Sequence, residues 1–412
     1  MRICMTLEQY DFPPHVRVEN EASRLLADGH EVMLVCRNLT GRSPHETWNG
    51  MSILRIERLP RLLHYLDFFS RFVFHFNFQW YFALWRLARA QHFDVFHVND
   101  LPLAGTVLAL GRRLGVPVIL DLYENYPVAL PFLRKPPQSL SERWMHSVLY
   151  GVDQWKRYER KALGQADRII VVVDEGATRI QRLGVPSHQI TVVGNTLNVD
   201  SFDNLPLQRS ILDRYAGHFV ISYIGSVARY RRLDTLIRAM PLVHSVIPNA
   251  RLVIVGDLSG YPEYAELASS LGLTELVDFE GWRPFDLVPS YLAASAVGVL
   301  PQERNEQTDN SMPNKLFYYF YMERPIVVTD CSSLQRMVDE TGGGVVAKDG
   351  ASDPRVLAEA IISLKDERVR RQMGERGRRA VAEKYNWEVD EARLSRMYRH
   401  LESEMGAHLQ GR

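Results

Sequence analysis

The chain has 412 residues and a formal net charge of zero, with 46% hydrophobic and 24% charged residues. This composition is typical of a folded globular protein and excludes a disordered or fibrous chain, while the length predicts two or three domains, with two as the working number. Zero net charge removes any global electrostatic argument for a nucleic acid or an acidic partner, so charge effects must be local.

Strand-like runs alternate with helical patterns through the first half of the chain. Helices are predicted at residues 18–27 and 103–114, where Gly29 and Gly115 follow as C-terminal stops. The strand-like runs are RICMT, EVMLVC, DVFHVN, VPVILDLY, ADRIIVVV and ITVVGN. Alternation of strand and helix predicts a parallel β-sheet.

The alternation restarts after the segment NVDSFDNLPLQRSILDRY, so a domain boundary is predicted near residues 198–215. The new runs are FVISYIGS, ARLVIVGD, LVDFEG, VGVLPQ, PIVVTD and GGVVAKDG, nearly continuous in apolar residues, which is typical of strands covered on both faces. The predicted fold class is α/β, with two doubly wound domains and a ligand cleft at the carboxyl ends of their strands. The terminal stretch 386–405 has helical spacing and fits against either half.

The cysteines and the apolar runs limit the class of protein further. Three widely spaced cysteines, Cys4, Cys36 and Cys331, lie in or beside strand-like runs, which predicts buried reduced thiols rather than a disulfide framework or a zinc site. The first ten residues enter a strand pattern and lack the features of a signal peptide, so export is not predicted. The longest apolar run, residues 72–85, is shorter than the ~20 residues that span a bilayer.

Eight stretches are informative because of their order along the chain. They are VRVENEASRLLADGHEVMLVC, DVFHVNDLPLAGT, VPVILDLYENYP, ADRIIVVVDEGATRIQRLGVPSHQITVVGNTLNVDSF, YIGSVARYRRLDTLIRAM, LVIVGD, VDFEGWRPFDLVPSYLAASAVGVLP and PNKLFYYFYMERPIVVTD. Together they resemble the retaining, nucleotide-sugar-dependent glycosyltransferases of the GT-B fold, in particular the GT4 family. The resemblance covers nearly the whole chain.

This resemblance implies two Rossmann-like domains. Residues 1–200 form the acceptor-binding domain, which a C-terminal helix at about 388–412 completes, and residues 201–387 bind the nucleotide sugar. The bond from the anomeric carbon to the diphosphate breaks through an oxocarbenium-like state, so the site has to stabilise a leaving diphosphate and orient an acceptor hydroxyl.

The resemblance also implies the partners. The donor is a nucleotide diphosphate sugar of the UDP or GDP type, and the acceptor is a glycan or a lipid-linked molecule in surface polysaccharide or glycoconjugate biosynthesis. Neither a metal nor another cofactor is expected, and no nucleic acid. The expected location is the cytoplasm, with contact at the inner face of the membrane.

An aromatic run between Phe72 and Trp80 alternates with the period of a strand, whereas the resemblance puts a helix there. Four arginines flank it, which suits an interfacial position: Arg61, Arg71, Arg86 and Arg89. The alternative is that the rings form the core of the domain or a dimer contact. The number of rings favours a membrane or acceptor contact through residues 61–89.

Candidate acceptor-side residues lie in three stretches of the first half. The stretch DLYENYP resembles a family segment that reads aspartate, any residue, histidine, glutamate, so Tyr123 replaces the histidine implied to contact the transferred sugar and Glu124 follows it. A tyrosine hydroxyl forms hydrogen bonds but does not become cationic. Asp100 and Arg17 are placed at the mouth of the cleft, with a helix N-cap and a surface arginine as the respective alternatives.

The stretch YIGSVARYRRLD follows the first strand of the second half and is the candidate diphosphate loop. The family carries an arginine just after the glycine and a lysine five residues later, and here Gly225 is followed by Ser226 and Arg231 at these positions. Arg231 keeps the charge and adds bidentate geometry. Arg229 is predicted to replace the charge lost at Ser226; the alternative is a solvated basic turn.

The next two strand-end loops supply further donor-side candidates. Gly256 in VIVGDLSG permits a close approach of the backbone. Trp282 and Arg283 in FEGWRPFD correspond to the family segment that packs against the nucleotide base. Trp282 either stacks on a base or packs between two loops.

The stretch NSMPNKLFYYFYMERP departs from the family at one informative place. The family has two glutamates separated by seven residues, the second implied to bind the ribose hydroxyls, and here these positions hold Asn310 and Tyr318. Asparagine in the first place is a known variation, whereas Tyr318 removes a carboxylate. The backbone N–H groups of Asn314 and Lys315 begin a helix and are predicted to bind phosphate.

Arg231, Asn310 and Tyr123 are therefore the candidate catalytic residues, and two whole-protein hypotheses remain. An active transferase is favoured by Arg231 and by the phosphate loops. A catalytically weak or inert GT-B protein that binds an acceptor or supports a partner enzyme is favoured by Tyr123 and Tyr318. Three acidic residues before the motif are candidates to compensate for the lost carboxylate, with a charged surface loop as the alternative: Glu303, Glu306 and Asp309.

Overall fold

The computed structural model describes residues 1–131, 139, 143 and 149–410, and for residues 61, 62, 64, 66, 68 and 408–410 it describes the backbone alone. The chain divides into two compact units. Unit 1 comprises Met1–Gly194 with Asp390–Arg412, and unit 2 comprises Asn195–Val389. The first junction lies between residues 194 and 195, compared with 200 and 201 in the division based on the sequence.

Eight strands form the sheet of unit 1: β1 (Arg2–Leu7), β2 (Glu31–Arg37), β3 (His45–Trp48), β4 (Met51–Ile56), β5 (Val95–Asn99), β6 (Val118–Leu122), β7 (Arg168–Val171) and β8 (Ile190–Val192). Their order is β3-β4-β2-β1-β5-β6-β7-β8. All neighbours run parallel except β3 and β4. The direction of strand succession reverses between β1 and β5, which makes this the switch point of the sheet, where ligands of doubly wound folds bind.

The β3–β4 hairpin is an element that the sequence analysis missed. Trp48 pairs with Met51, which leaves Asn49 and Gly50 as a two-residue loop with φ angles of 45° and 89°. Both angles lie in the left-handed region that a type I′ turn requires, and Asn-Gly is the preferred pair for such a turn. The signal was therefore present in the dipeptide.

The described ranges of unit 1 contain these helices before the junction: α1 (Val16–Ala27), α2 (Arg61–Phe74), α3 (Phe78–Ala90), α4 (Ala104–Leu114), α5 (Tyr126–Ala129), α6 (Val152–Leu163) and α7 (Asp174–Arg182). Short 3-10 helices follow β5 at Leu101–Leu103 and precede β8 at Ser187–Gln189. The helices predicted at residues 18–27 and 103–114 are α1 and α4.

The aromatic run forms two helices and no strand. His75 ends α2 in the left-handed conformation, and the Asn77 side chain caps α3 by accepting a hydrogen bond from the N–H of Trp80 at 3.0 Å. The alternating rings therefore fall on both sides of a helix break, so their period of two does not describe one element. Along the described ranges of the chain, no helix is both long enough and apolar enough to cross a bilayer.

Unit 2 contains a six-stranded parallel sheet: β9 (Phe219–Ile224), β10 (Ala250–Val255), β11 (Val277–Gly281), β12 (Val297–Leu300), β13 (Ile326–Thr329) and β14 (Gly344–Ala347). The order is β11-β10-β9-β12-β13-β14, so the switch point lies between β9 and β12. Each of these strands was predicted from its apolar run.

The helices of unit 2 are α8 (Val199–Asp203), α9 (Arg209–Tyr215), α10 (Leu233–Val246), α11 (Glu263–Ser270), α12 (Val288–Ala294), α13 (Glu306–Asp309), α14 (Lys315–Tyr321), α15 (Ser332–Thr341), α16 (Pro354–Ile362) and α17 (Glu367–Glu383). Short 3-10 helices lie at Arg229–Arg231 and Phe285–Leu287. The prediction of two parallel-sheet α/β domains is confirmed.

The last helix, α18 (Trp387–Gln410), begins in unit 2 and belongs to unit 1 from Asp390 onward. Its Tyr398 hydroxyl lies 2.7 Å from Nδ1 of His97 on β5. Its Ser395 hydroxyl accepts a hydrogen bond from Arg24 on α1 at 2.8 Å. Two segments that are far apart in the sequence therefore complete one unit.

The three cysteines are free and buried. Burial raises the pKa of the Cys36 thiol to about 12, so the reactive thiolate is scarce at neutral pH. Their surroundings are those of inert core residues, as predicted for reduced thiols.

Candidate functional site

The switch point of the unit 2 sheet brings together the loops that follow β9 and β12. Arg231 lies in the first loop, and its Nη1 donates a hydrogen bond to Oε1 of Gln302 in the second. Gln302 is buried, and its Nε2 is among the buried atoms without a hydrogen-bond partner in the described structure, as is Nε of Arg231. Two N–H donors are therefore held in fixed positions without an acceptor.

The loop after β10 contacts the loop after β9 at Gly256. A Cβ atom on Gly256 would lie 2.2 Å from the carbonyl oxygen of Gly225, which is backbone and has little freedom to move. The strand-end loops of β9 and β10 thus touch through their main chains. Only glycine permits this contact, as the sequence predicted for Gly256.

Lys315 adds a buried amino group beside Gly225. Its Nζ would lie 2.5 Å from a Cβ atom at Gly225, and it lies 4.0 Å from the ring centroid of Tyr223 on β9. Lys315 is almost fully buried, and Nζ has no hydrogen-bond partner within the described ranges. Burial and the charge of Arg231 lower the pKa of Lys315 well below its usual value.

Arg229 does not take the place that the sequence analysis gave it. Its side chain is largely exposed and forms an ion pair with Glu263 at 3.2 Å, so it is not part of the cationic pocket around Arg231. This placement does not support the prediction that Arg229 replaces the charge lost at Ser226. The Tyr223 hydroxyl donates to the carbonyl oxygen of Ser226, and the amino group of Lys315 lies over the ring of the same tyrosine. Lys315 is therefore the buried basic residue near Ser226.

Tyr318 is a packing residue. Its ring stacks on Phe202 with centroids 5.4 Å apart and an interplanar angle of 4°, and it meets the edge of Phe285 at 5.6 Å. The hydroxyl accepts one long hydrogen bond, 3.5 Å, from Nδ2 of Asn314. Burial raises the pKa of Tyr318 to about 12, so the phenol stays neutral and offers no charged acceptor to a ribose.

The neighbouring tyrosines of α14 also have structural partners. Tyr319 donates to the carbonyl oxygen of Ser222 at 3.0 Å and lies flat against Gly298, where a Cβ atom would come within 2.5 Å of the ring. Tyr321 donates to Asp203 at 2.6 Å. The tyrosine cluster is therefore explained by packing. The N–H groups of Asn314 and Lys315 lie at the start of this seven-residue helix, and phosphate binding by them stays a prediction.

The acidic residues before the motif do not supply a substitute carboxylate as a group. Asp309 accepts hydrogen bonds from the N–H of Ser332 at 2.6 Å and from Arg304 at 3.3 Å. The Asn310 side chain donates to the carbonyl oxygen of Glu306 at 2.7 Å, which closes the short helix α13. A local capping function thus accounts for Asn310.

The loop after β11 contains the two predicted base-binding residues, Trp282 and Arg283, which have different environments. Trp282 is 70% exposed, so the alternative of a tryptophan packed between loops is wrong. Arg283 donates to Glu280 at 3.1 Å and to the Tyr291 hydroxyl at 3.3 Å. Trp282 is therefore free to stack on a planar ligand, whereas Arg283 is held by its neighbours.

The switch point of the unit 1 sheet contains a second polar pair. Gln9 follows β1 and donates to Oδ2 of Asp100, which follows β5, at 2.8 Å. Oδ1 of Asp100 accepts from the N–H of Leu101 at 2.8 Å, so the predicted alternative of a helix N-cap applies to this short 3-10 helix. Asp100 has a φ angle of 73°, a strained value for a non-glycine residue.

Burial and the charge of Glu124 raise the pKa of Asp100 well above its usual value. The Tyr123 hydroxyl is buried and lacks a hydrogen-bond partner in the described part of the chain. Burial and Asp100 raise the pKa of Tyr123, and its ring meets that of His15 at 6.0 Å. His15, Gln9 and the buried, unpartnered Asn99 side chain are site residues that the sequence analysis missed. Only the pairing of distant strands reveals them.

Arg17 is a buried ion-pair residue and not an acceptor-side residue at a cleft mouth. Its guanidinium donates two hydrogen bonds of 2.6 Å to Asp121 and one of 3.1 Å to the carbonyl oxygen of Val193. Nη2 of Arg17 also lies 3.1 Å from Oε1 of Glu21. Both sequence-based readings of Arg17 are therefore wrong, because this side chain is committed to the interior.

Glu21, His97 and Asp121 each have an atom that could bind a metal within 4.8 Å of the others. Arg17 occupies this cluster with a fixed positive charge, which opposes a second cation. Burial raises the pKa of Glu21 well above its usual value and lowers that of His97 to about 4. The cluster is therefore best described as a buried polar network.

We expect Tyr318→Phe to leave nucleotide affinity within about twofold of the parent, because the hydroxyl makes only one long hydrogen bond. Equilibrium titration with UDP and GDP checks this. Tyr318→Ser, which removes the ring from between Phe202 and Phe285, should instead lower the thermal stability of unit 2. An affinity loss of tenfold or more in Tyr318→Phe would show that the hydroxyl is a ligand.

Two family models match the chain. Residues 14–196 match the family described as glycosyl transferase 4-like domain, and residues 218–367 match the family described as glycosyl transferases group 1. The first match falls within unit 1 and runs two residues into unit 2, and the second lies within unit 2.

Curated relatives are similar over parts of the chain. Alpha-D-kanosaminyltransferase of Streptomyces kanamyceticus is 22% identical over 299 residues, which cover 71% of this chain and 72% of that protein. D-inositol 3-phosphate glycosyltransferase of Nocardiopsis dassonvillei is 28% identical over 223 residues, and the alignment covers 51% of this chain and 49% of that protein. The chain thus spans about half the length of the second relative.

Solved structures share the architecture at low sequence identity. Sucrose-phosphate synthase from Thermosynechococcus elongatus matches with a TM-score of 0.76 and 18% identity, over 98% of this chain and 99% of that one. Anabaena HepE in complex with UDP-glucose matches with a TM-score of 0.69 and 12% identity, over 97% and 100% of the two chains. These structures support the predicted GT-B fold.

Proposed function

Since the chain belongs to the glycosyltransferases that join a glycosyl transferase 4-like domain to a group 1 domain, we propose that it transfers a sugar from a nucleotide diphosphate sugar. The proposed donor is of the UDP or GDP type. The proposed acceptor is a glycan or a lipid-linked molecule of surface polysaccharide or glycoconjugate biosynthesis, and the anomeric configuration is retained. The reaction needs no metal in this proposal and takes place in the cytoplasm.

One observation carries the donor assignment: the cationic pocket at the switch point of unit 2. Lys315, Arg231 and Gln302 each have a buried nitrogen without a hydrogen-bond acceptor in the described chain. Buried N–H donors normally have partners, and unfilled ones cost free energy unless a ligand satisfies them. A diphosphate is the group of a nucleotide sugar that accepts several charged hydrogen bonds at once.

The pocket also explains how a leaving group is stabilised. As the bond to the anomeric carbon breaks, negative charge grows on the bridging phosphate oxygen. The guanidinium of Arg231 is held in place by the hydrogen bond from its Nη1 to Gln302. Little reorganisation of this side chain is therefore needed in the transition state. Tyr123 and Asp100 supply polar groups of unit 1 for the acceptor side.

A screen of donors tests the proposal. Thermal shift and sugar release are measured with UDP-, GDP-, dTDP- and ADP-sugars, and a UDP- or GDP-sugar is expected both to raise the melting temperature and to be slowly hydrolysed. A donor that stabilises the protein without any sugar release would favour the other candidate, an inert GT-B protein, for which the missing carboxylate at Tyr318 is the supporting observation. No shift and no sugar release with any donor would contradict the active transferase and would favour an inert GT-B protein that binds an acceptor or supports a partner enzyme.

The membrane contact proposed for residues 61–89 rests on an exposed aromatic face. Tyr65 is 69% and Phe74 is 68% exposed, and three further rings on α2 and α3 are more than half exposed: Phe69, Phe78 and Phe82. Soluble proteins seldom expose so many large rings on neighbouring helices. Arg86 and Arg89 are exposed on α3, whereas Arg71 is half-buried and forms an ion pair with Glu8.

We expect the protein to float with vesicles that contain anionic phosphatidylglycerol and to float less with purely zwitterionic vesicles. The variant Phe69→Ser/Phe74→Ser/Phe78→Ser should lose at least about tenfold in vesicle affinity, because three rings leave the interface. Leu242→Ser/Leu271→Ser, at exposed apolar positions of unit 2, is the matched control and should bind like the parent. Equal binding by both variants would exclude this face.

A further inference from the structure

We propose that the Lys315 side chain is a ligand of the donor diphosphate and that it takes up one proton from solvent as the donor binds. This inference rests on the proposed function and assigns to that site a linkage between donor binding and protonation. It also identifies the group that compensates for Ser226, at the position where the family has an arginine.

The position of Nζ carries the first part of the argument. It lies so close to Gly225 that a Cβ atom there would meet it at 2.5 Å, and Gly225 begins the loop that leads to Arg231. The side chain therefore reaches from α14 across the carboxyl end of β9. It arrives at the phosphate loop from a different element than the arginine of the family, yet it brings the same charge.

The surroundings of Nζ provide no compensating anion. The groups that face it are Arg231 in the loop, whose charge acts on Lys315, and Tyr223 on β9, whose ring lies against Nζ. Tyr230 in the loop and Tyr319 on α14 are titratable groups next to Tyr223. Within the ranges that the structure describes, no carboxylate forms an ion pair with Lys315. A ring face at 4.0 Å is the main attractive contact for an ammonium here.

Burial without an anion favours the neutral amine. The nearby guanidinium of Arg231 adds repulsion, and both effects lower the pKa of Lys315. A bound diphosphate reverses the balance, because it brings negative charge and hydrogen-bond acceptors to Nζ. The nitrogen lone pair then accepts a proton from water or buffer, and the resulting ammonium donates to a phosphate oxygen.

The sign of the pH dependence follows from this cycle. Below the pKa of Lys315 in the free protein, the ammonium already exists and donor affinity is independent of this group. Between the pKa of the free protein and the higher pKa of the complex, binding consumes a proton, so affinity falls by up to about tenfold for each pH unit. Above both values, affinity levels off at the weaker limit of the neutral amine.

Calorimetric titration of the full chain with UDP-glucose and GDP-mannose tests the inference. These donors have diphosphate diesters that do not titrate near neutral pH, which leaves the protein as the source of any linkage. Titrations in HEPES and in Tris, whose ionisation enthalpies differ, give the number of protons taken up. We expect up to about one proton for each donor bound, within the range from roughly pH 6 to pH 9.

Lys315→Met keeps the length of the side chain and removes the amine. We expect it to abolish the proton uptake and to lower donor affinity by roughly 10- to 150-fold, the loss of one charged hydrogen bond. The free variant should melt no lower than the parent, because a buried nitrogen without a partner has been removed. Lys365→Met, at an exposed lysine of unit 2, is the control and should retain both affinity and uptake.

Donor binding without proton uptake at any pH in this range would overturn the inference, and so would parental affinity in Lys315→Met. If the variant fails to fold, the proton count of the parent protein still decides. Failure of the parent to bind any donor would overturn the proposed function and this inference with it, so the two failures are told apart by whether the parent binds.

Discussion

Replacing Arg231 with alanine is expected to lower the affinity for a nucleotide diphosphate by roughly 10- to 150-fold, since a charged hydrogen bond to a buried group contributes about 1.5–3 kcal/mol. The rate of sugar transfer should fall at least as far, because in the proposed reaction the same guanidinium stabilises the charge that develops on the leaving diphosphate. Its fixed contact with Gln302 is the reason for expecting a large effect. Titration with UDP and GDP measures the first quantity.

Arg229→Ala is the matched control for this variant. Arg229 lies two residues away in the same loop but forms an exposed ion pair with Glu263, so its loss should change nucleotide affinity by no more than about twofold. Arg231→Lys should give an intermediate affinity, because it keeps the charge and loses the fork of donors. Equal losses in Arg229→Ala and Arg231→Ala would mean that the loop acts only through its total charge.

Arg17→Met is expected to destabilise unit 1 by about 3–5 kcal/mol, the range for removing one partner of a buried ion pair. The variant leaves the buried carboxylate of Asp121 without its two 2.6 Å hydrogen bonds. Urea unfolding followed by tryptophan fluorescence is the measurement, since Trp80 and Trp155 are fully buried in unit 1.

The control for this variant lies two turns further along the same helix. Arg24 pairs with Asp28 and Glu391, but its side chain is partly exposed, so Arg24→Met should cost less than about 1 kcal/mol. If Arg17→Met costs no more than Arg24→Met, the interior network around Asp121 does not stabilise the fold. Arg17→Met/Asp121→Leu should recover part of the loss, because it removes both charges together.

The fold was largely predictable because each strand of unit 2 and most strands of unit 1 are short apolar runs between turn residues. Helices cover such strands on both faces, so each strand is a nearly continuous apolar run that can be recognised without knowledge of its neighbours. The β3–β4 hairpin was missed although Asn49 and Gly50 marked its turn. The aromatic run after residue 70 was ambiguous because its alternation crosses a helix break at His75.

The candidate site was predictable only in part, for a physical reason. Loops at strand ends follow from the order of elements, so Arg231 and Gly256 were found. Which side chains meet across a switch point depends on strand pairing between distant segments, so Gln9 with Asp100 and Gln302 with Arg231 were not. Tyr318 was read as a replaced ligand, whereas its contact with Phe202 shows a ring selected for packing.

The path of helix α18 has a consequence for co-translational folding. Residues 195–389 are translated before Asp390 and the rest of α18. Unit 1 lacks two of its tertiary contacts until α18 is present, because Tyr398 and Ser395 of this helix contact His97 and Arg24. The N-terminal half, although translated first, therefore cannot complete its fold before the residues of α18 from Asp390 onward are available.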